Sequence, residues 1–247
     1  MTSILITGAS RGIGRATALL CGAKGWSVGI NYVHDEAAAL ETARAVEAAG
    51  GRAALLKGDV AIEANVIGMF DEAAKRLGSL DGVVVNAGVV APPLKLADMG
   101  LERLKRMFDV NVLGAYLCAR EAARRLARDR GGAGGAIVLV SSAATRLGSP
   151  SEYVDYAGSK AALDTLTIGL SKELGRAGVR VNAVRPGLIE TDIHASGGQP
   201  DRAQRLGATT PIGRAGSARE VAEPIVWLLS DAASYVTGAI LDVAGGR

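Results

Sequence analysis

Short apolar runs rich in β-branched residues alternate along the chain with longer stretches in which apolar residues recur every three or four positions. The apolar runs are nearly continuous, which is typical of strands that are covered on both faces of a sheet. This pattern predicts strands at 3–7, 27–32, 52–57, 82–86, 136–141, 180–185 and 239–243. It predicts helices at 13–24, 35–49, 62–77, 101–129, 154–176 and 218–230.

Regular alternation of strands and helices predicts an α/β fold with a doubly wound parallel sheet and helices on both faces, since parallel strands need right-handed crossovers. The chain of 247 residues can form one such domain over 1–247. The glycine-rich stretch 131–135 is interpreted as a turn rather than a linker. Residues 187–217 are polar, glycine-rich and without a clear period, so we expect a flexible substrate loop there.

Composition narrows the class of protein. Hydrophobic residues make up 49% and charged residues 21%, which indicates a folded, soluble chain. The net charge of +3 gives little support to a nucleic-acid-binding surface. The densest basic run, 120–131, has the spacing of the solvated face of an amphipathic helix.

Cysteine, histidine and the chain's start add three expectations. Cys21 and Cys118 lie in apolar helical patterns, so we expect buried free thiols in a reducing compartment. Neither His34 nor His194 neighbours a cysteine, so no metal site is predicted. The start "MTSILITGAS" does not resemble a signal peptide, and no apolar run reaches about 18 residues, so we expect a cytoplasmic protein without membrane spans.

A glycine-rich loop, "ITGASRGIG" at 6–14, follows the first predicted strand and opens the first predicted helix. Glycines permit a sharp turn and a close approach of the backbone, and the helix N-terminus favours a phosphate group. The first strand–loop–helix unit of a doubly wound sheet is where dinucleotides bind. The candidate phosphate-binding residues are Gly8, Ser10, Arg11, Gly12, Ile13 and Gly14.

Five motifs in order resemble the short-chain dehydrogenase/reductase family. They are TGASRGIG at 7–14, NAG at 86–88, Asn111 in NVLG, the pair Tyr156 and Lys160, and RPG at 185–187. The pattern is most similar to bacterial glucose-dehydrogenase-like proteins and to sugar and ketone reductases. The resemblance implies a Rossmann-type sheet of order 3-2-1-4-5-6-7, a nicotinamide cofactor, and a small carbonyl or alcohol substrate.

The choice of cofactor is a question of charge at the end of the second strand. An NAD(H) site needs a carboxylate there for the ribose hydroxyls, but Asn31 and Tyr32 are neutral. Arg11 can bind a 2′-phosphate through charge-assisted hydrogen bonds. Asp35 and Glu36 are interpreted as a helix N-cap and a first-turn acid. We therefore expect NADP(H), with NAD(H) as the alternative.

The resemblance also places residues further along the chain on the cofactor. Asp59 and Val60 are implied to contact the adenine, and Asn86, Ala87 and Gly88 to let the cofactor lie against the backbone. Asn86 has an alternative role in tying the central strands together. After the sixth strand, Pro186 and Gly187 are expected to cross the nicotinamide, and Ile189 and Thr191 to contact its carboxamide. These residues complete the predicted cofactor site.

Hydride transfer to a carbonyl leaves an alkoxide that needs a proton near neutral pH. A free tyrosine titrates at about 10, but a lysine ammonium and the oxidised nicotinamide stabilise the phenolate and lower its pKa. Tyr156 and Lys160 are four residues apart, so a helix places them on one face. Tyr153 lies one turn earlier and is expected either to line the pocket or simply to pack.

A hydroxyl that binds the carbonyl oxygen is expected at the end of the fifth strand, where Ser141 and Ser142 face opposite sides. The resemblance favours Ser142, although its spacing to Tyr156 is one residue longer than in the commonest members. Asn111 is either a satisfied core amide or, as the resemblance implies, an interruption of helix 101–129 that holds a proton-relaying water near Lys160. His194 is interpreted as a solvated loop residue.

The sequence therefore predicts an NADPH-dependent oxidoreductase that interconverts a carbonyl and an alcohol. Its alternatives are an NAD-dependent sugar or alcohol dehydrogenase and a cofactor-binding regulator without turnover; an epimerase or dehydratase generally needs a larger substrate domain. Helices 101–129 and 154–176 carry apolar residues on more than one face. The family pairs these helices across a two-fold axis, so the resemblance implies a homotetramer or homodimer.

Overall fold

The computed structural model describes residues 2–247, apart from the side chains of His194 and Ser196. Its strands are β1 (Ser3–Ile6), β2 (Ser27–Tyr32), β3 (Arg52–Lys57), β4 (Gly82–Val85), β5 (Gly135–Val140), β6 (Val179–Pro186), β7 (Ile189–Glu190), β8 (Gly216–Ser217) and β9 (Ile240–Val243). Seven of them form a parallel sheet in the order β3-β2-β1-β4-β5-β6-β9. This order confirms the predicted topology, in which β9 is the seventh strand of the sheet.

Helices cover both faces of the sheet, as the continuous apolar strands predict. They are α1 (Gly12–Ala23), α2 (Glu36–Ala48), α3 (Glu63–Leu77), α4 (Leu101–Phe108), α5 (Ala115–Leu126), α6 (Ala144–Leu147), α7 (Val154–Leu174), α8 (Ile193–Ser196), α9 (Arg202–Gly207) and α10 (Ala218–Leu229). Successive strand residues point to opposite faces. Leu5 packs in the core with α3, α5 and α7, whereas Ile4 and Ile6 pack with α1, α2 and α10.

The predicted helix 101–129 is wrong as a continuous element. A π-helical segment, Asp109–Gly114, separates α4 from α5, and α5 ends at Leu126 because Ala127 adopts an extended conformation. A π-helical turn is wider than an α-helical one and is often found at functional sites. A Cβ atom at Gly114 would lie 2.8 Å from Val60 Cγ2, so this turn packs tightly against the loop after β3.

The basic run in α5 is an ion-pair network around one buried acid, rather than only a solvated face. Glu121 is 2% exposed and pairs with both Arg124 and Arg125. Arg125 also reaches Asp71 of α3 at 2.6 Å. A buried carboxylate is tolerated when it is fully paired, and Arg125 links this acid to α3.

Residues 187–217 contain short regular elements that the sequence did not predict. The segment contains α8 and α9, and its ends are joined by parallel pairing of β7 with β8. Elements of two to six residues are too short to produce a recognisable apolar period, which is why the sequence pattern missed them.

The two cysteines are free and buried, as expected. Burial raises the pKa of Cys21 and of Cys118 to about 12, so both thiols stay protonated at neutral pH. Over the part of the chain that the structure describes, no helix is long and apolar enough to cross a membrane.

Candidate active site

A cavity of about 630 Å³ opens at the carboxyl ends of the central strands, the edge where doubly wound sheets bind ligands. The structure brings nearly all the predicted site residues to its wall. The predicted residues that line it are Gly8, Ser10, Arg11, Gly12, Ile13, Asn31, Tyr32, Asp59, Val60, Asn86, Ala87, Gly88, Ser142, Tyr156, Lys160, Pro186, Gly187, Ile189 and Thr191. Gly14 and Asn111 lie behind this wall.

The loop between β1 and α1 has the shape of a phosphate-binding turn. Gly8 and Gly12 adopt φ angles of +63° and +56°, which favour glycine. A Cβ at Gly14 would lie only 2.4 Å from the Gly8 carbonyl oxygen, so a larger residue there would displace the loop. Gly12 and Ile13 of the first turn of α1 line the cavity, and the N–H groups of a first helical turn, which have no acceptor within the helix, can bind an anion.

Asn31 lines the cavity, but its side chain forms hydrogen bonds with backbone groups of the protein. Its Oδ1 accepts a hydrogen bond from the Gly8 amide at 3.0 Å. Its Nδ2 donates to the carbonyl oxygens of Leu56 and Gly58 at 3.1 and 2.9 Å. The side chain therefore ties the phosphate loop to the ends of β2 and β3, a role that the sequence did not predict for it.

The Asn86 side chain ties the ends of the central strands together, which was the alternative role predicted for it. Its Nδ2 donates to the carbonyl oxygens of Thr7 and Gly8 at 2.8 and 3.0 Å. The Thr7 hydroxyl in turn accepts from the amides of Asn86 and Ala87, both at 2.9 Å. These bonds join the end of β4 to the start of the glycine loop.

The rim of the glycine loop and the end of β2 carry the groups that bear on the choice of cofactor. Asp35 caps α2 by accepting from the Ala38 amide at 3.0 Å, so its predicted N-cap role is confirmed. The Arg11 guanidinium is exposed and makes no ion pair or hydrogen bond with the residues described by the structure. Desolvation and the neighbouring Glu36 raise the pKa of Tyr32, which keeps its phenol neutral.

Asp59, which follows β3, is occupied within the protein. One carboxylate oxygen accepts from the Ala61 amide at 2.9 Å, and the other lies 3.4 Å from Arg106. Its place on the cavity wall agrees with the predicted position beside an adenine. The contact itself stays a prediction.

The Lys160 side chain is buried at the floor of the cavity. Its Nζ donates to the Val140 carbonyl at 2.8 Å and lies 5.9 Å from the centroid of the Tyr156 ring. Burial lowers the pKa of Lys160 to about 8, and the Asp164 carboxylate opposes that shift. A Cβ at Gly88 would lie 3.2 Å from this Nζ, so the small residue leaves room for the ammonium group.

The tertiary structure separates the two serines after β5. Burial raises the pKa of Tyr156, and a hydrogen bond between its hydroxyl and Ser142 opposes that shift. The Ser141 hydroxyl points the other way and donates to the Lys160 carbonyl at 3.2 Å. Ser142 is therefore the serine that lies beside the candidate proton donor.

Asn111 is fully buried in the π-helical turn and holds two neighbouring elements together. Its Oδ1 accepts from the Val89 amide at 2.8 Å, and its Nδ2 donates to the Val89 carbonyl at 2.9 Å and to the Ser159 hydroxyl at 3.1 Å. A Cβ at Gly88 would lie 3.3 Å from its Oδ1, so Asn111 and Lys160 flank the same glycine. The predicted interruption of the helix is present, and the water relay stays a prediction.

The opposite end of the cavity contains Tyr153 together with three residues that the sequence did not assign. Tyr153 is buried and lines the wall, in agreement with its predicted pocket role. Leu147, Leu188 and Arg202 lie with it. Arg202 belongs to the unpatterned segment 187–217, where no spacing or motif could have identified it. The side chain of His194 lies outside the described residues.

Comparisons with known proteins identify the class. A family model described as enoyl-(acyl carrier protein) reductase matches residues 8–247. An uncharacterized oxidoreductase, YgfF, of Escherichia coli (strain K12) is 51% identical over the full length of both chains. L-rhamnose 1-dehydrogenase (NAD(P)(+)) of Sphingomonas sp. (strain SKA58) is 39% identical over 99% of this chain and 95% of the relative.

A solved structure of a short-chain dehydrogenase/reductase from Serratia marcescens, a double mutant, superposes with a TM-score of 0.89. It is 33% identical, and the match covers 99% of this chain and 97% of that one. The protein is thus an NAD(P)-dependent oxidoreductase that acts on alcohol or carbonyl groups. The chain belongs to the short-chain dehydrogenase/reductase family.

The residues present fit a nicotinamide dinucleotide. The glycine loop has no Cβ atoms at Gly8, Gly12 and Gly14, which lets a pyrophosphate approach the N-terminus of α1. Gly187 packs so closely on Ala244 that a Cβ would lie 2.7 Å from its Cα. That packing holds the backbone after β6 at the cavity wall.

The divided orientation of the two serines makes a prediction. Ser142→Ala removes the hydroxyl beside Tyr156 and should lower kcat by about 10²- to 10³-fold, the usual cost of losing one such donor. Ser141→Ala should keep kcat within a few-fold, because that hydroxyl binds only backbone. The kcat of both variants is measured from the change in NAD(P)H absorbance, with a substrate that the wild-type protein converts. A larger loss of kcat in Ser141→Ala than in Ser142→Ala would instead make Ser141 the hydroxyl that binds the carbonyl oxygen.

Proposed function

We propose that this protein is an NADPH-dependent reductase that interconverts a ketone or aldehyde and the corresponding alcohol, with Tyr156 as the proton donor. The observation that carries the proposal is the grouping of Tyr156, Ser142 and Lys160 at the cavity floor. A glycine loop suited to a pyrophosphate lies in the same cavity.

Each side chain has a distinct part in the reduction. The glycine loop and the backbone after β6 would hold the dinucleotide, whose nicotinamide, when bound, would supply a hydride to the carbonyl carbon. Ser142 donates a hydrogen bond to the carbonyl oxygen, where negative charge develops. Tyr156 gives its proton to the same oxygen, and so completes the alcohol.

The Tyr156 phenol needs positive charge nearby to exchange protons at neutral pH, because burial raises its pKa. The Lys160 ammonium, 5.9 Å from the ring centroid, supplies part of it. With a pKa of about 8, Lys160 remains mostly protonated at pH 7. Asn111 binds Ser159 and the Val89 amide, and it flanks Gly88 together with the Lys160 ammonium. We propose that the proton-relaying water lies between Asn111 and this ammonium.

The preference for NADPH rests on charge at the rim of the phosphate loop. Arg11 is exposed and is not engaged by any ion pair within the described part of the chain. Asp35 is occupied as the cap of α2, and no carboxylate stands at the end of β2 itself. This arrangement favours a 2′-phosphate over a free ribose hydroxyl pair.

Arg11→Ala therefore should raise the KM for NADPH by about 10- to 100-fold, which corresponds to one charge-assisted hydrogen bond, and change the KM for NADH by less than about threefold. Arg15→Ala, an exposed change one turn along α1 and away from the cavity, is the matched control. A wild-type protein with a clear NADH preference would contradict the assignment.

The substrate class is best approached through the relatives. The name L-rhamnose 1-dehydrogenase indicates a sugar as the substrate of one relative, and the family description names an acyl-carrier-linked substrate. The substrate end of this cavity combines the aliphatic side chains of Leu147 and Leu188 with the Tyr153 ring. Ketones, aldoses and acyl thioesters are accordingly the classes to test.

The direct test is a panel of these three classes followed by NADPH absorbance. We expect turnover with at least one class, and Tyr156→Phe should lower it by about 10²- to 10⁴-fold, because general acid catalysis is lost. Cofactor binding, followed by NADPH fluorescence, should persist in the variant. Undiminished turnover in Tyr156→Phe would exclude the proposed proton donor.

We also infer a homotetramer. Large apolar side chains are exposed along α4, α5 and α7 and near the C-terminal strand. They include Leu101, Phe108, Tyr116, Ile168, Tyr235 and Leu241. Groups of exposed apolar residues mark interaction surfaces.

Sedimentation velocity at micromolar concentration should give a tetramer. Ile168→Asp places a charge on α7, where the exposed side chain would be desolvated by a partner, and should reduce the assembly. A monomeric wild-type protein would contradict the inference. A dimer would mean that only one of the two apolar surfaces, either that of α4, α5 and α7 or that near the C-terminal strand, forms an interface.

A further inference from the structure

The segment 197–207 is attached to the start of α7 by a partly buried ion pair. Arg202 Nη1 and Nη2 donate to the two carboxylate oxygens of Glu152 at 3.1 and 2.7 Å. The Arg202 side chain is 11% exposed, while that of Glu152 is 40% exposed. A two-pronged contact of this kind fixes the direction as well as the distance of both side chains.

Tyr153 is held between these partners. The Arg202 guanidinium carbon lies 4.9 Å from the centroid of the Tyr153 ring, within the range of a cation–π contact. Gln199 Nε2 donates to the Tyr153 hydroxyl at 2.8 Å. The Gln199 amide oxygen accepts in turn from Arg202 and from Arg205, at 3.3 and 2.7 Å.

This group of side chains meets the cavity at its substrate end. Tyr153 and Arg202 both line the wall, and Tyr153 lies one helical turn before Tyr156. Residue 152 is also fixed from the other side, where its carbonyl accepts from the Leu94 amide at 3.0 Å. The tyrosine ring is therefore set by residues that themselves have little freedom.

The charge of the ion pair is maintained at neutral pH. The hydrogen bond from Arg202 lowers the pKa of Glu152, burial opposes it, and Arg205 and Arg247 lower it further. Since the carboxylate balances the guanidinium, the pair closes the wall without presenting an uncompensated charge to the substrate.

We propose that Glu152, Gln199 and Arg202 are positioning residues, a clamp that fixes Tyr153 and holds the segment 197–207 closed over the substrate. The clamp acts on substrate affinity and not on the chemical step, because none of its members contacts Ser142 or Lys160 among the hydrogen bonds and ion pairs of the described residues. Its catalytic consequence rests on the proposed reductase function.

The test is a charge swap. Glu152→Arg and Arg202→Glu each place like charges together, and the double variant restores an opposite pair. Arg219→Glu, which disrupts an exposed pair with Glu223 in α10, is the matched control. The readouts are KM and kcat for a substrate found in the panel, the dissociation constant of NADPH, and the rate of thermolysin cleavage within 187–217.

Each single variant should raise the substrate KM by about tenfold or more, with kcat within about threefold, as expected for loss of a coupled pair that acts on binding. Thermolysin should cleave the segment faster in both single variants, and NADPH binding should be unchanged. The double swap restores the ion pair but not the contacts of Arg202 with Tyr153 and Gln199. It should therefore recover most of the protease resistance and part of the substrate KM, while Arg219→Glu behaves as the wild type.

A double variant no better than the worse single variant, or an unchanged KM in both single variants, would overturn the clamp. Should the wild-type protein reduce no substrate, the proposed function fails and protease resistance decides the clamp alone. Faster cleavage that the swap reverses would support it, and unaltered cleavage would refute it.

Discussion

The crevice at the carboxyl ends of β1 and β4 depends on two asparagines that bind backbone. β1 has β2 on one side and β4 on the other, so the chain leaves it in opposite directions and a crevice opens between the connections. Asn31 fastens the glycine loop to β2 and β3, and Asn86 fastens it to β4. The bonds of Asn31 to Leu56 and Gly58 are buried and those of Asn86 are partly buried, and a hydrogen bond is stronger where water is excluded. The position of the α1 N-terminus, and with it the proposed phosphate site, follows from these bonds.

Two cations at opposite ends of the cavity have contrasting environments. Lys160 is buried, bonded to a strand carbonyl, and its pKa is lowered to about 8. Arg11 is exposed at the rim and keeps its guanidinium open to solvent. A desolvated ammonium suits proton chemistry, because its charge acts on neighbours with little screening, whereas an exposed guanidinium suits recognition of a phosphate. Burial thus separates the chemical end of the cavity from the binding end.

The proposed substrate end of the cavity, around Tyr153 and Arg202, differs from the rest in the elements that form its wall. The glycine loop connects β1 to α1 and the floor comes from the ends of β5 and α7, while much of the wall opposite comes from the segment between β6 and α10. That segment contains short regular elements and is attached to the start of α7 by side chains such as Arg202 and Gln199. Loops positioned by a rigid scaffold are where specificity generally resides. The family relationship therefore identifies the class of reaction, and this wall is where we propose that one substrate is distinguished from another.

The parallel sheet, the glycine loop and the Tyr156–Lys160 pair could all be predicted from the amino-acid sequence, because apolar period, turn chemistry and helical spacing are local properties. Three-dimensional packing was needed to show that the Asn31 side chain binds the glycine loop, and that Ser142 rather than Ser141 contacts Tyr156. It was also needed to show that the predicted helix 101–129 contains a π-helical turn. Packing also brings Arg202 to Glu152, fifty positions apart in the chain. Such contacts depend on how distant segments meet, and that meeting leaves no period or motif in the segments it joins.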